Sequence, residues 1–476
     1  MSFPHRTKSR ARPAFLVCSN FFLDTKHSVP VEIIRAKKGL DQAGRLSLYS
    51  FQLGIIMLQE GTDCTEPSAC SDDNISGIPA TQNLQRRINF MRKRLSVALA
   101  VMLFVLGMGI AAHADQWGTI TIPADKPIKI ALGSMLTGDY ASLGIDIKNG
   151  AEMAVKEQGT LLGHKLILQA EDDGCAGPSS VAIAEKVCND PLVVGLVGYM
   201  CSGGSKPASD VHNKYKVVMI SPSSTALELT ARNIPIFFRT CWNDKIQAAR
   251  AAAFAWSRGW KTVAAIHDKS DYGQSLAEDF AKNIKAKGGK VVAIEGITRG
   301  DKDFTPVLTK IRPLKPQVIY FGGMAAEGVM IVRQMKRAGL RKAHFMSDDG
   351  CFTEKDFIRA GGSAAIGSYV TYAKEPDPQW VKKFESIYGP RQTFSPQAYD
   401  AAKVLMAAVA KVAKKKADGT LVIGKKALRD AIRGTHMNGI TGKIAFDKHG
   451  DRTGSVVVIY KVVKENGKSF FKQMKF

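Results

Sequence analysis

Two turns rich in hydroxyl side chains follow successive apolar strands in the middle of the chain. The apolar run 193–198 leads into the first turn, and the run 217–220 leads into the second. Each turn precedes a predicted helix, 205–213 or 226–231, and the backbone N–H groups that begin a helix suit a carboxylate or phosphate. Turns that follow successive parallel strands lie at the same edge of the sheet, which predicts that both turns bind a single ligand. The candidate ligand contacts are Ser202, Ser223, Ser224 and Thr225.

An aspartate and a tyrosine follow two later strands. Tyr272 comes after the predicted strand 262–267, and Asp349 comes after the predicted strand 343–346. An α-ammonium group needs an ionised acceptor, and a tyrosine hydroxyl can assist it. With the hydroxyl turns opposite, this pattern indicates a site for a zwitterionic amino acid. The alternatives are that Ser202, Thr225 and Asp349 only cap helices or turns, and that Tyr272 lies in a surface turn.

Several short motifs occur in a characteristic order and resemble the periplasmic leucine/isoleucine/valine-binding proteins of ABC importers. The resemblance extends from about Ile128 to Tyr460. It implies an α/β fold of type I with two lobes, each a mostly parallel sheet flanked by helices, and ligand contacts at Ser202, Thr225, Tyr272 and Asp349. The motifs that carry the resemblance are residues 201–202, 206–210, 221–225, 228–230, 268–273 and 302–304.

Three positions depart from the family pattern. The family commonly has glutamate where Asp349 stands, and it has tyrosines at the positions of Leu143 and Met324, although Tyr140 is close to the first. These changes predict a pocket with more apolar and more adaptable walls, lined by Leu143 and Met324. An aliphatic amino acid fits such a pocket.

A secretory leader is predicted 90 residues into the chain. Met91–Arg94 is positively charged, Leu95–Ala111 is apolar, and Ala112–Ala114 is a small-residue cleavage site. This order predicts export to the periplasm with cleavage after Ala114, and an uncleaved membrane anchor is the alternative. Residues 1–90 lack sustained periodicity and are interpreted as disordered or as a mis-assigned start of the reading frame, with an extra regulatory arm as the alternative.

The exported part holds five cysteines. The resembling family has a disulfide at the positions of Cys175 and Cys201, and both residues follow strands that are predicted to be neighbours. Cys188, Cys241 and Cys351 are interpreted as thiols. No C-x-x-C motif is present, which argues against a metal or redox site.

Short apolar strands alternate with amphipathic helices, which predicts parallel sheets covered on both faces. The pattern is interrupted three times, near Cys241, Ala373 and Gly439, and these points are interpreted as hinge crossings with a ligand cleft between the lobes. The predicted boundaries are the leader at 91–114, the first lobe at 115–241 and 374–438, the second lobe at 242–373, and a C-terminal β segment of the second lobe or hinge at 439–476.

The net charge is strongly basic. Of the formal +24, residues 1–94 hold +6 and the remainder holds +18. The lysines are spread along helices without interleaved aromatics, which favours a solvated basic surface over nucleic-acid binding. Motifs typical of hydrolases, nucleotide binding and zinc sites are absent, so neither an enzyme nor a cofactor or metal is expected. The expected partners are an amino acid and an ABC permease, with the protein as a monomer. The alternative is a sensing module for an amide or small carboxylate.

Overall fold

The computed structural model describes residues 88–93, 95–96 and 117–476. Nearly all of the predicted extension 1–90 lies outside the described residues, and so does the predicted leader from residue 97 to its cleavage site at Ala114. Residues 88–93 and 95–96 are helical. No helix in the described part of the chain is long and apolar enough to cross a membrane. The chain divides into two units after Met91, and the second unit, Arg92–Phe476, is described below.

From Trp117 onwards, the second unit contains eighteen strands and eleven α-helices. The strands are β1 (Thr119–Ile122), β2 (Ile128–Ser134), β3 (Thr160–Leu161), β4 (His164–Asp172), β5 (Val193–Gly198), β6 (Met219–Ser221), β7 (Phe237–Arg239), β8 (Thr262–His267), β9 (Lys290–Gly296), β10 (Val318–Gly322), β11 (His344–Ser347), β12 (Tyr369–Ala373), β13 (Lys414–Lys415), β14 (Leu421–Gly424), β15 (His436–Gly439), β16 (Gly442–Ala445), β17 (Val457–Glu465) and β18 (Lys468–Gln473). The helices are α1 (Ala141–Gln158), α2 (Gly177–Asn189), α3 (Ser202–Tyr215), α4 (Glu228–Ala231), α5 (Asp244–Ser257), α6 (Asp271–Ala286), α7 (Thr305–Ile311), α8 (Ala325–Arg337), α9 (Pro378–Tyr388), α10 (Ser395–Val412) and α11 (Lys425–Arg433).

The first lobe is built on a six-stranded sheet in the order β3-β4-β2-β5-β6-β7. All its strands pair in parallel except the edge hairpin of β3 and β4. Every residue of β5 is buried, as expected for an apolar strand covered by helices on both faces. Strands β4 and β5 were predicted to be neighbours, but β2 lies between them.

The second lobe is built on a seven-stranded sheet in the order β18-β17-β12-β11-β10-β8-β9. Five neighbouring strands of this sheet, β9, β8, β10, β11 and β12, are parallel. Strands β17 and β18 complete the edge beside β12 as antiparallel strands. The core of this lobe includes stacked aromatic rings, for example Phe280 and Tyr320, whose centroids are 4.2 Å apart. Two mostly parallel sheets flanked by helices confirm the predicted α/β architecture.

Helix α10 returns to the first lobe and packs against α1. A Cβ atom at Gly150 of α1 would lie 2.1 Å from the carbonyl oxygen of Ser395, so only glycine permits this approach of the two helices. Asp146 of α1 reinforces the contact by accepting hydrogen bonds from the backbone N–H groups of Gln392 and Ser395, at 2.8 and 2.7 Å.

The chain passes between the two sheets three times. It leaves the first sheet after β7, returns after β12, and enters the second sheet finally at β17. This last passage was predicted near Gly439, but it lies between Arg452 and Val457. The reason is that residues up to 452 still contact the first lobe: Asp451 pairs with the buried Arg239 at 2.5 Å, and Arg452 donates to the carbonyl oxygen of Thr240 at 3.0 Å.

Candidate functional site

The first lobe presents a helix N-terminus to a cavity between the lobes. Helix α3 begins at Ser202, three residues earlier than predicted, and the first N–H groups of a helix have no partner within it. Ser202 is buried and lines the cavity. Its hydroxyl accepts a hydrogen bond from the N–H of Ala226 at 3.3 Å, so its own proton can still be donated to a ligand oxygen.

The second hydroxyl turn contributes Ser223 to the cavity wall. The Ser223 hydroxyl donates to the carbonyl oxygen of Met200 at 2.8 Å, which fixes its direction. The other two predicted contacts, Ser224 and Thr225, are buried and do not line the cavity. Ser224 Oγ hydrogen-bonds with Ser205 Oγ at 2.8 Å and so ties the two turns together. Thr225 Oγ1 is buried without a hydrogen-bond partner among the described residues.

The second lobe presents Tyr272 from the first turn of α6. This helix begins against the end of β10, since a Cβ atom at Gly273 would lie 2.4 Å from the carbonyl oxygen of Gly322. Tyr272 is only 8% exposed, which excludes the alternative of a surface turn. Its hydroxyl accepts a hydrogen bond from the N–H of Gly350 at 2.9 Å.

Asp349 lies beside Tyr272 in the cavity wall, in the short 3-10 helix that follows β11. The residue is buried, and its Oδ1 atom has no hydrogen-bond partner among the described residues. Burial raises the pKa of Asp349 to about 6, and the neighbouring Gln247 and Tyr272 side chains act in the opposite direction. A buried acceptor without a partner, at the edge of a cavity, suits a cationic hydrogen-bond donor of a ligand.

A second buried carboxyl group adjoins Asp349. Asp348 accepts hydrogen bonds from the N–H groups of Gly350 and Gly323, both at 3.0 Å. Burial, followed by the charge of Asp349, raises the pKa of Asp348 well above its usual value, and burial also raises the pKa of the nearby Asp244 to about 7. Because repulsion disfavours two adjacent buried charges, Asp348 and Asp349 titrate as a unit.

Apolar side chains form the remaining walls. Leu143 and Met324 line the cavity as predicted, and the sequence did not identify Met200 and Phe394, which lie beside them. The predicted disulfide between Cys175 and Cys201 is confirmed, and both cysteines belong to the wall. The cavity encloses about 550 Å³ of empty space, a figure that includes its open mouth. Among the described residues, no group of three His, Cys, Asp or Glu side chains could hold a metal ion.

Two polar residues of the wall, Ser270 and Arg299, were not predicted. Ser270 lies in the 268–273 motif, so its neighbourhood was visible in the sequence. Arg299 lies in the loop between β9 and α7, and because β8 and β9 are parallel neighbours, this loop meets the end of β8 at the same sheet edge. The contact depends on an ion pair, in which Arg299 Nε donates to Asp268 Oδ2 at 2.7 Å.

Comparison with known proteins gives the family. Residues 127–468 match the family model described as periplasmic binding protein. The chain belongs to the periplasmic binding protein family. A leucine-, isoleucine-, valine-, threonine-, and alanine-binding protein of Pseudomonas aeruginosa is 33% identical over 368 residues, which cover 75% of this chain and 94% of that protein. A Leu/Ile/Val/Thr-binding protein of Salmonella typhimurium is 31% identical over 337 residues, covering 69% of this chain and 89% of the relative.

A solved structure supports the same assignment. The leucine binding protein LivK of Thermotoga maritima is 27% identical, has a TM-score of 0.66, and is matched over 72% of this chain and 97% of its own. The resemblance to the leucine/isoleucine/valine-binding proteins and the type I fold of the periplasmic binding proteins are therefore confirmed. The ligand contacts predicted at the individual residues of this periplasmic binding protein stay predictions.

Proposed function

We propose that this periplasmic binding protein captures an aliphatic L-amino acid of the branched-chain type between its lobes and delivers it to an ABC importer. One observation carries the proposal. A single cavity joins a helix N-terminus with Ser202 on the first lobe to a buried Asp349 on the second lobe, and one carboxylate oxygen of Asp349 has no partner among the described residues. These are the two polar groups that a zwitterion needs.

The ligand carboxylate is assigned to the first lobe. The N–H groups that begin α3 and the Ser202 hydroxyl are donors, and the partial positive charge at a helix N-terminus favours an anion. Ser223 lines the same wall. Thr225, whose hydroxyl is buried without a partner among the described residues, is proposed as a further donor, and Ser224 as a residue that supports the turn.

The ligand ammonium is assigned to the second lobe. The pKa of Asp349 is raised to about 6, so its carboxylate is ionised at neutral pH and can pair with the positive charge of the ligand. Tyr272 is fixed by its hydrogen bond with Gly350 and lies beside Asp349 in the wall. A chain with only one of the two lobes would hold one end of the ligand, so capture requires both.

The ligand side chain is assigned to the apolar walls. Leu143, Met200, Met324 and Phe394 surround space suited to an aliphatic group, and burying a side chain of leucine size contributes about 1.5–3 kcal/mol. The names of the relatives from Pseudomonas aeruginosa and Salmonella typhimurium, which include leucine, isoleucine and valine, support this class of ligand. No reaction on the ligand is part of the proposal.

Export and delivery complete the proposal. The charged start at Met91, the apolar segment and the Ala112–Ala114 site are proposed to act as a cleaved leader, with Asp115 as the mature N-terminus in the periplasm. The mature protein is proposed to act as a monomer with the permease as its partner. N-terminal sequencing of the protein from the envelope fraction tests the cleavage, and a mature chain that retains residues before Met91 would contradict it.

A thermal-shift screen of the exported protein tests the ligand. The panel contains the amino acids, small amides and small carboxylates, and a ligand at 100 times its dissociation constant should add about 2.7 kcal/mol of stability. We expect leucine, isoleucine or valine to raise the unfolding temperature and the Asp349→Ala variant to lose the shift. Stabilisation by amides or carboxylates alone would contradict the proposal and favour a sensing module.

A further inference from the structure

Arg299 adds a third polar group to the cavity that the carboxylate and ammonium contacts leave unused. It lies in the loop between β9 and α7, lines the cavity, and has a side chain that is 31% exposed. An aliphatic amino acid has two charged ends, and both are already assigned. A guanidinium group in the same cavity therefore has no role in binding the ligand as described above.

The position of this guanidinium is fixed from the second lobe. Its Nε donates to Asp268 Oδ2 at 2.7 Å, and the Asp268 side chain is fully buried. The other carboxylate oxygen of Asp268 accepts from the N–H and the hydroxyl of Ser270, at 3.0 and 2.5 Å. Because hydrogen bonds hold both oxygens of the Asp268 carboxylate, the Arg299 side chain that pairs with it has a fixed orientation.

The first lobe also contacts this arginine. Its guanidinium carbon lies 5.6 Å from the ring centroid of Tyr140, within the range of a cation–π interaction. Tyr140 precedes α1 and therefore belongs to the lobe opposite Asp268. The guanidinium is thus held from both lobes, at the side of the cavity where they meet.

The guanidinium has donors to spare. It carries five N–H groups, and Nε uses one of them on Asp268. Neither Nη atom donates a hydrogen bond to another described residue in the structure. A ligand that fills the cavity with hydrocarbon leaves these donors to the solvent at the mouth, whereas a ligand oxygen would accept from them.

Arg299 and Asp349 act in different parts of the cavity. Arg299 follows β9 and Asp349 follows β11, and two strands, β8 and β10, lie between β9 and β11 in the sheet. A ligand whose ammonium contacts Asp349 would therefore present a different end to the arginine.

The acidic side chains around Arg299 favour a neutral hydrogen-bond acceptor on the ligand over a negatively charged one. Asp268 balances the charge of Arg299, and the buried Glu327 adds a second carboxylate, whose Oε1 accepts from the N–H of Gly300 at 3.0 Å. A carboxylate on the ligand would be repelled by both acids. We infer that Arg299 donates to a neutral carbonyl or hydroxyl oxygen at the end of the ligand side chain, so that the pocket takes polar, uncharged amino acids beside aliphatic ones. This inference rests on the proposed function, because it needs the amino acid orientation described above.

Calorimetry with two pairs of ligands of similar shape tests the inference. Methionine is compared with glutamine, and leucine with asparagine, on the parent protein and on Arg299→Met. The measured quantity is the ratio of the dissociation constant of the apolar ligand to that of the polar ligand. We expect this ratio to fall about tenfold in Arg299→Met for at least one pair, since a hydrogen bond from a charged donor is lost.

The controls separate folding from specificity. Because Arg299→Met leaves Asp268 buried without its partner, the double variant with Asp268→Asn removes both charges and should show the same change of ratio. Arg299→Lys should retain part of the preference. A change smaller than fivefold in both pairs would overturn the inference, as would tighter binding of glutamate than of glutamine to the parent protein. If the parent binds leucine and the ratio does not change, only the inference fails; if it binds no amino acid, the proposed function fails as well.

Discussion

The Tyr272 hydroxyl accepts a hydrogen bond of 2.9 Å from the backbone N–H of Gly350. The first residue follows β8 and the second follows β11, and β10 separates these strands in the sheet. The same N–H lies 3.0 Å from Asp348 Oδ1, so it is shared between two acceptors. The turn that carries Asp349 is therefore held by a side chain from another strand end, and the position of the carboxylate depends on Tyr272.

Replacing Tyr272 with phenylalanine tests this dependence. The ring is kept, the hydroxyl is lost, and Asp348 still accepts from the Gly350 N–H, so we expect a small change in stability. Ligand affinity should fall by about 1 kcal/mol, or roughly fivefold, because a hydroxyl beside the ammonium is removed. Calorimetry with the best ligand from the screen gives the affinity, and urea unfolding gives the stability. If the variant bound the ligand as tightly as the parent, the Tyr272 hydroxyl would have no part in ligand binding.

Removing the charge of Asp349 should have a much larger effect. Leaving one member of a buried ion pair without its partner costs about 3–5 kcal/mol. At about 1.4 kcal/mol per factor of ten, Asp349→Ala should weaken binding by roughly two to three and a half decades. Asp349→Asn keeps the shape and should also weaken binding. The measurement is calorimetry on variants whose unfolding midpoint shows that they are folded.

A matched control is available at the rim of the cleft. Asp271 begins α6 next to Tyr272, but its side chain is 42% exposed and pairs only loosely with Lys206, at 3.7 Å. Asp271→Asn should therefore bind the ligand within threefold of the parent, since exposed ion pairs contribute little. If Asp349→Ala also bound within threefold of the parent, the ammonium would have to be held elsewhere, and the assignment of an amino acid ligand would fall with it.

The parallel strands and the strand-end residues could be predicted because their signals are local. Short apolar runs such as β5 identify buried strands, and residues just after them must lie at one sheet edge. That rule placed Ser202, Ser223, Tyr272 and Asp349 together, and the structure brings all four to the cavity. The sheet of β1, β13 and β14 was missed, because strands of two to four residues carry too little periodicity.

The other features that were not predicted from the sequence depend on contacts between distant parts of the chain. Arg299 reaches the cavity through its ion pair with Asp268, and residues 446–452 stay with the first lobe through the pair of Arg239 and Asp451. The first pairing joins the ends of two neighbouring parallel strands, β8 and β9, so the strand-end rule applies to it as well. The second pairing has no signature in the spacing of either residue. The raised pKa of Asp348 is likewise a consequence of burial, which the sequence does not display.

The disulfide in the cavity wall should stabilise the exported protein. Cys175 and Cys201 are 26 residues apart, and closing such a loop contributes about 3–4 kcal/mol in the chain-entropy model. The free energy of unfolding should fall by about this amount in the double variant with serine at both positions. Urea unfolding with and without reductant measures it. Cys188→Ser, which removes a free thiol, is the control, and an equal loss there would contradict the assignment.

Ligand affinity should depend on pH through the buried acids beside the ammonium site. Burial raises the pKa of Asp349 to about 6, and an ammonium group binds the ionised form. As the pH falls below about 6, a proton competes with the ligand. The dissociation constant should therefore approach a tenfold increase for each further pH unit, whereas it should be nearly constant from pH 7 to 8. Between about pH 5 and 7 the ammonium and carboxylate of the ligand keep their charges.

Unfolding of the protein at low pH would not explain the weaker ligand binding expected below about pH 6. The pKa values of Asp244 and Asp349 are raised in the folded state, so as the pH falls these groups bind protons in the folded state before they do so in the unfolded chain. Their contribution to stability is present below the pKa of the unfolded chain and is lost as the pH rises through about 6 to 7. Calorimetry from pH 8 to pH 5 on the parent and on Asp349→Asn decides the matter: the parent should show the slope, and the variant, which has no proton to bind there, should lose most of it. Equal affinity of the parent at pH 7 and pH 5 would show that no acid of this cluster receives the ligand's charge.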